Sequence, residues 1–247
     1  MTKALGRRYC RFVRKVHLLG VLSLAMAVAG IPSLCFDVIL DPKEVMQLLA
    51  EIGKLQEDSL KARTQAARLE ALYQTGERAL ALTTLMTRDV QSHGASDPSL
   101  VGLIMRRLKE YGIEVRSDAQ GYYYDLAAFR EYVKRAPTGK RAQDARFALI
   151  AFAESGKEIG ALEESIAEKQ RFLLDYPRYP DLSIIHMLLA QDHLRLGRIY
   201  SSQKNTVLGE KHQQTAEEIY RKIVKLYPKS PEAEAAADYL SQLSRAK

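Results

Sequence analysis

Apolar residues in the second half of this chain fall into three amphipathic runs, each closing on a proline and each followed by a new run. The prolines are Pro137, Pro177 and Pro228. Aligned on them, Tyr132, Phe172 and Ile223 stand five residues before, and Val133, Leu173 and Val224 four before. Ala142, Leu182 and Ala233 stand five after, Ala145, Ile185 and Ala236 eight after, and Leu149, Leu189 and Leu240 twelve after. Apolar positions three and four apart share a helix face, and an interior proline ends a helix, so the pattern predicts helix, turn, helix, repeated. The prolines lie 40 and then 51 residues apart. Extra helix or turn is therefore expected around 156–160 and 201–209.

The first half carries a different period. Leu48, Ile52, Leu55, Ser59, Ala62, Ala66, Leu69, Tyr73, Gly76, Leu80 and Thr83 alternate three and four apart after an Asp41-Pro42 helix start. That is heptad spacing and predicts one helix over 41–92. Two packings satisfy it: self-association of chains along the seam, or folding back as an antiparallel hairpin or onto the repeats. Small residues at Ser59, Ala62, Ala66 and Gly76 bury little area, which weakens the seam. The turn-rich stretch 92–98 reads as a linker, followed by a helix over 100–111 that Gly112 caps. Ile113 to Arg116 and Tyr122 to Tyr124 then alternate around 117–121, which predicts a β-hairpin with at least one tyrosine buried. The expected fold class is all-α: a long coiled-coil-like helix over 41–92, a short helix plus hairpin over 97–124, and an array of helical hairpins over 125–247.

The third closure carries a signature. Ala216, Tyr220, Ile223 and Pro228 are spaced as in the second helix of a tetratricopeptide repeat, and Leu196-Gly197-Arg198-Ile199-Tyr200 resembles the Leu-Gly-x-x-Tyr of its first helix. The glycine lets the two helices approach, with Leu196 and Tyr200 filling the space beside it. The repeats are degenerate: Asp125 replaces a small residue in the first, and Lys169 replaces the aromatic in the second. Tyr227-Pro228-Lys229-Ser230-Pro231 is similar to the bacterial envelope branch of that family. That branch includes the Tol–Pal-associated protein with an N-terminal coiled coil and the outer-membrane barrel-assembly lipoprotein. The resemblance covers about half the chain and implies an α-solenoid that binds other proteins.

The N-terminus points the same way. Lys3, Arg7, Arg8, Arg11, Arg14 and Lys15 precede an apolar stretch and Ala27-Val28-Ala29, with no acidic residue before Asp37. Residues 1–35 read as a secretory signal cleaved after Ala29 or Cys35, as an uncut anchor over 16–36, or as a lipoprotein signal with lipid on Cys35. The lipobox is weak, because Pro32-Ser33-Leu34 lacks the aliphatic and small residues it needs. All three place the rest outside the cytoplasm, in the periplasm. The formal charge is +7, but six of the 37 basic residues and none of the 30 acidic ones lie in 1–29. The remainder carries 31 basic against 30 acidic residues, net +1. This removes the electrostatic case for nucleic acid, and with it a winged-module reading of the helix and hairpin. Cys10 and Cys35 both belong to the export segment, so the folded part has no disulfide to form.

No nucleophile, phosphate-loop or dinucleotide motif occurs, and no His-Glu-x-x-His. His186 and His193 share a helix face without a carboxylate or cysteine to complete a metal set, so they read as packed or solvated. Glu154, Glu158, Glu163, Glu164 and Glu168 sit among lysines at helical spacing, as a solvated face does. No catalytic residue, metal or cofactor is expected, and membrane contact is expected only at the N-terminus. Recognition remains. By the phase of Leu196 and Gly197, the polar positions Gln191, Arg195 and Arg198 face a groove, and Gln143 and Arg146 do so one hairpin earlier. Arginines there can grip carboxylates of a partner. The reading is an exported adaptor that binds another envelope protein or peptide segment. The other reading is an inner-membrane-anchored component of a secretion or pilus machine.

Overall fold

The computed structural model describes residues 40–93, 97–153 and 158–246. The export segment, Cys10 and Cys35, and Glu154 and Gly156 lie outside these residues. Among the described residues the chain is helical apart from one two-stranded sheet, and no helix is long and apolar enough to cross a membrane. They form two compact units, one through Leu149 and one from Ile150 onward.

The first unit opens with α1 (Pro42–Lys61) and α2 (Gln65–His93). Asp41 caps α1 by accepting from the Lys43 N–H at 2.9 Å. The expected single helix over 41–92 is corrected here. Ala62 leaves the helical region at ψ 126°, and the Thr64 hydroxyl caps the Ala67 N–H to start a new helix. The two helices then run antiparallel. Leu40 N–H reaches the Asp89 carboxylate at 3.1 Å, and Arg78 pairs with Glu51 part-way along. The physical reason lies in the seam: small and polar residues near the break hold nothing together, while folding back buries Val45, Leu48, Leu49 and Ile52. Gly76 serves neighbour packing rather than a coil. A Cβ there would stand 3.1 Å from the Phe129 ring.

Past the 92–98 stretch, Asp97 caps α3 (Pro98–Glu110), which ends at Gly112 with φ +69°. Strands β1 (Val115–Asp118) and β2 (Gly121–Tyr124) pair antiparallel, Val115 opposite Tyr124. The Asp118 carboxylate accepts from the N–H groups of Gln120 and Gly121 and closes the turn. Tyr124 is buried, while Tyr122 and Tyr123 are half-buried. The hairpin docks on α2 through Thr87, whose hydroxyl donates to the Tyr122 carbonyl and accepts from its N–H, both at 2.8 Å. Next come α4 (Ala127–Arg135) and α5 (Ala142–Phe152). Phe129 and Tyr132 of α4 pack edge-on against Tyr73, at 5.6 and 5.7 Å between ring centres.

The second unit holds α6 (Ile159–Asp175), α7 (Leu182–Ser202), α8 (Thr206–Leu226) and α9 (Pro231–Ala246). Its core gathers Leu162, Ile166, Leu189 and Leu196. The longer second interval between prolines is taken up by helix: α7 and α8 are 21 residues each and are joined across 203–205.

The proline turns repeat in detail. In each, the residue before proline ends its helix at φ −141°, −129° or −127°, as Ala136, Tyr176 or Tyr227. Its N–H bonds the carbonyl four residues back, on Tyr132, Phe172 or Ile223. Its carbonyl accepts from Gly139, Tyr179 or Ser230 three residues on. Ala145, Ile185 and Ala236, aligned eight after each proline, are all 0 % exposed. Helix, turn, helix with one burial register is thus present three times.

Candidate functional site

Lys169 stands where the first repeat has Phe129 and the third has Tyr220, eight residues before the proline. An ammonium at an aromatic's place is costly to bury without a partner. The partner is Asp192 on α7, with Oδ2 at 2.7 Å from Nζ and both side chains almost fully buried, 4 % and 2 % exposed. Ser165, one turn earlier on α6, donates to the same oxygen at 2.9 Å, and Lys169 also donates to the Ser165 hydroxyl. Arg195 approaches the other carboxylate oxygen at 3.8 Å. Asp192 stands fifteen residues after Pro177, where the other repeats have Phe152 and Leu243. An ion pair therefore stands at two positions that the other repeats fill with aromatic or aliphatic side chains. The arrangement does not activate Ser165: its hydroxyl donates to a carboxylate and accepts from Lys169, so no base is placed to take its proton.

The next residue of α7 belongs to a ring cluster. His193 Nδ1 and His212 Nδ1, on α8, are 2.9 Å apart. His193 Nε2 is buried without a partner. A proton on Nε2 would be an unsatisfied buried donor, so the assigned tautomer has His193 Nδ1–H donating to His212 Nδ1. A metal on the two Nδ1 atoms would force that proton onto Nε2, where nothing accepts it. Among the described residues no group of three or more His, Cys, Asp or Glu is placed to hold a metal ion. Tyr200 stacks on His212 at 5.5 Å and donates to Glu163 at 3.3 Å. Burial, helped by the facing His212, pushes His193 down to about 4. Burial, with Lys222 nearby, does the same to His186, which lies 5.9 Å from the Tyr227 ring. Both histidines are packed, as one of the sequence alternatives had them.

Comparison with protein-family models, curated proteins and solved structures returns no match. What the chain does must be read from its own side chains.

The residues expected to line a groove are placed as follows. Gln191, Arg195 and Arg198 share one face of α7 by their spacing of four and three; Gln191 and Arg195 are half-buried and Arg198 is exposed. Arg195 leans toward Asp192, whereas the Arg198 charge acts on the Tyr220 and Tyr239 phenols, whose rings sit 4.6 Å apart. The α7 face thus carries two arginines with different neighbours. On α5, Gln143 is exposed and Arg146 half-buried, one turn apart. Glu163, Glu164 and Glu168 on α6 and Glu158 at its cap are exposed, as a solvated face requires. Sequence reasoning missed the Lys169–Asp192 pair, although the misfit at Lys169 was its visible signal. It also missed His193 against His212, because their separation along the chain reveals nothing about two helices that cross.

Proposed function

We propose that this chain is an exported envelope adaptor that binds another envelope protein or peptide segment through tetratricopeptide-like hairpins. The observation that carries the reading is the recurrence of one helix, proline turn and helix with one burial register. Hairpins of this kind present the polar faces of their first helices to a partner. On this reading α5 and α7 are first helices: Gln143 and Arg146 are the partner-facing residues of the first unit, and Gln191, Arg195 and Arg198 those of the second. Of the three arginines Arg198 is the exposed one and the best placed to grip a carboxylate. The basic, apolar and small-residue succession over 1–35 supports export. Similarity to the envelope branch of the repeat family suggests a role in outer-membrane assembly or envelope maintenance, by analogy.

The test is cross-linking and pull-down from periplasm with the wild-type chain and an Arg195→Glu/Arg198→Glu variant. One or a few envelope proteins should be captured by the first and lost with the second. An identical set from both removes the α7 face from the function. The uncharged stretch over 16–36 favours a second reading, an inner-membrane-anchored component of a secretion or pilus machine. Intact mass and membrane partitioning separate the two: loss of the first 29 to 35 residues in a soluble product supports the adaptor, and a full-length product that requires detergent supports the anchor.

A further inference from the structure

We propose a second docking site in the first unit: a cleft at the tip of the α1–α2 hairpin that takes an acidic peptide segment with an aliphatic anchor residue. The cleft encloses about 410 Å³, within the range of sites that hold a small ligand or a few side chains. Its wall is one face of the first two turns of α2, where Gln65, Arg68, Leu69 and Leu72 follow the i, i+3, i+4, i+7 rule. The last turns of α4 close the opposite side with Glu131 and Arg135, and the end of α1 closes the third. Leu69 and Leu72 are half-buried, so the floor is aliphatic and reachable.

The rim decides the sign of the occupant. Arg68 spends its Nε–H on the Ala62 carbonyl at 3.1 Å, and Arg135 spends its Nε–H on Glu131. Both bonds leave the paired Nη groups, the edge with which a guanidinium holds a carboxylate in a fork. Both arginines are exposed. Of the charged residues lining the cleft, two are arginines and one, Glu131, is a carboxylate already paired with Arg135, so the lining is left net positive by Arg68. The α2 N-terminus adds the positive end of a 29-residue helix. An aliphatic floor under a basic rim suits a leucine- or isoleucine-type side chain flanked by Asp or Glu. A membrane suits it less, because the apolar part is a concavity of side-chain size rather than a protruding face.

Panning a random-peptide library on the full chain, with Arg68→Gln/Arg135→Gln as counter-target, tests the site. Enriched peptides should combine an aliphatic residue with Asp or Glu. By fluorescence anisotropy their affinity should fall about tenfold or more in the double variant, the size expected for a lost charge-assisted contact. It should also weaken as salt rises from about 50 to 300 mM. Leu69→Gln should weaken the same peptides, and the thermal midpoint of the arginine variant should match wild type. Peptides without acidic residues, or no peptide that distinguishes wild type from the variant, overturns the proposal. Binding to anionic phosphatidylglycerol vesicles that needs the two arginines, with no peptide selected, overturns it in favour of a lipid surface.

Discussion

Lys169 and Asp192 show how a single residue's misfit propagates. Removing one partner leaves the other charged and buried, so Lys169→Met or Asp192→Leu alone should each cost about 3–5 kcal/mol in urea unfolding. The double variant should return to within about 1 kcal/mol of wild type or exceed it, since the other repeats fill these places with apolar side chains. A double variant as unstable as either single one would mean that the pair, not its volume, holds α6 on α7. Histidine protonation makes a second case. With His186 and His193 held near 4 in the fold and near 6.5 when unfolded, their neutral packing contributes fully above about pH 6.5. The contribution is lost progressively as pH falls toward 4, because the unfolded chain takes up protons first. Unfolding free energies from urea denaturation at pH 7.5 and 4.5 should differ by on the order of 1–2 kcal/mol per histidine after solvent screening. His186→Phe, beside Tyr227, should flatten the dependence by one histidine's share.

Among the elements, two glycines control how neighbours meet. Gly197 and Gly209 face each other where α7 crosses α8, each Cβ position 3.1 Å from the other's carbonyl oxygen. Gly209→Val should push the helices apart and cost about 1–3 kcal/mol, read as a lowered melting temperature and faster amide exchange in α7 and α8. Unchanged exchange there would mean that the crossing yields without cost. Gly121 sits at φ +151° with its Cβ position 2.5 Å from Thr87 Cγ2. Gly121→Ala should undock the β-hairpin from α2, with loss of amide protection over 115–124 and about 1–3 kcal/mol of stability. The Asp41-Pro42 helix start and the three proline closures were legible, since they are local chemistry, whereas Asp97-Pro98, read as part of a linker, proved to be the cap and first residue of α3. The Gly197 close approach was expected from Leu196-Gly197, but its counterpart Gly209 was not, because nothing local to Gly209 says which helix crosses it. The break at Ala62 to Thr64 was hidden by an unbroken heptad count, and a threonine cap is a weak signal inside a charged helix.

For the whole molecule, the heptad seam leads to a statement about assembly. Leu48, Ile52, Tyr73, Gly76 and Thr83 are buried within one chain, so association along that seam would require the α1–α2 hairpin to open. Sedimentation equilibrium of the chain should therefore give a monomer; a stable trimer or dimer that Leu48→Asp disrupts would show the seam to be shared between chains. The sequence by itself determined the helical class, the β-hairpin and the repeated helix, proline turn and helix, because period, caps and proline act over a few residues. Tertiary structure alone decided that the heptad folds back, that an ion pair replaces an aromatic at Lys169, and that His193 meets His212. Those outcomes depend on which surfaces lie opposite one another across tens of residues, and opposition in space has no period along a chain.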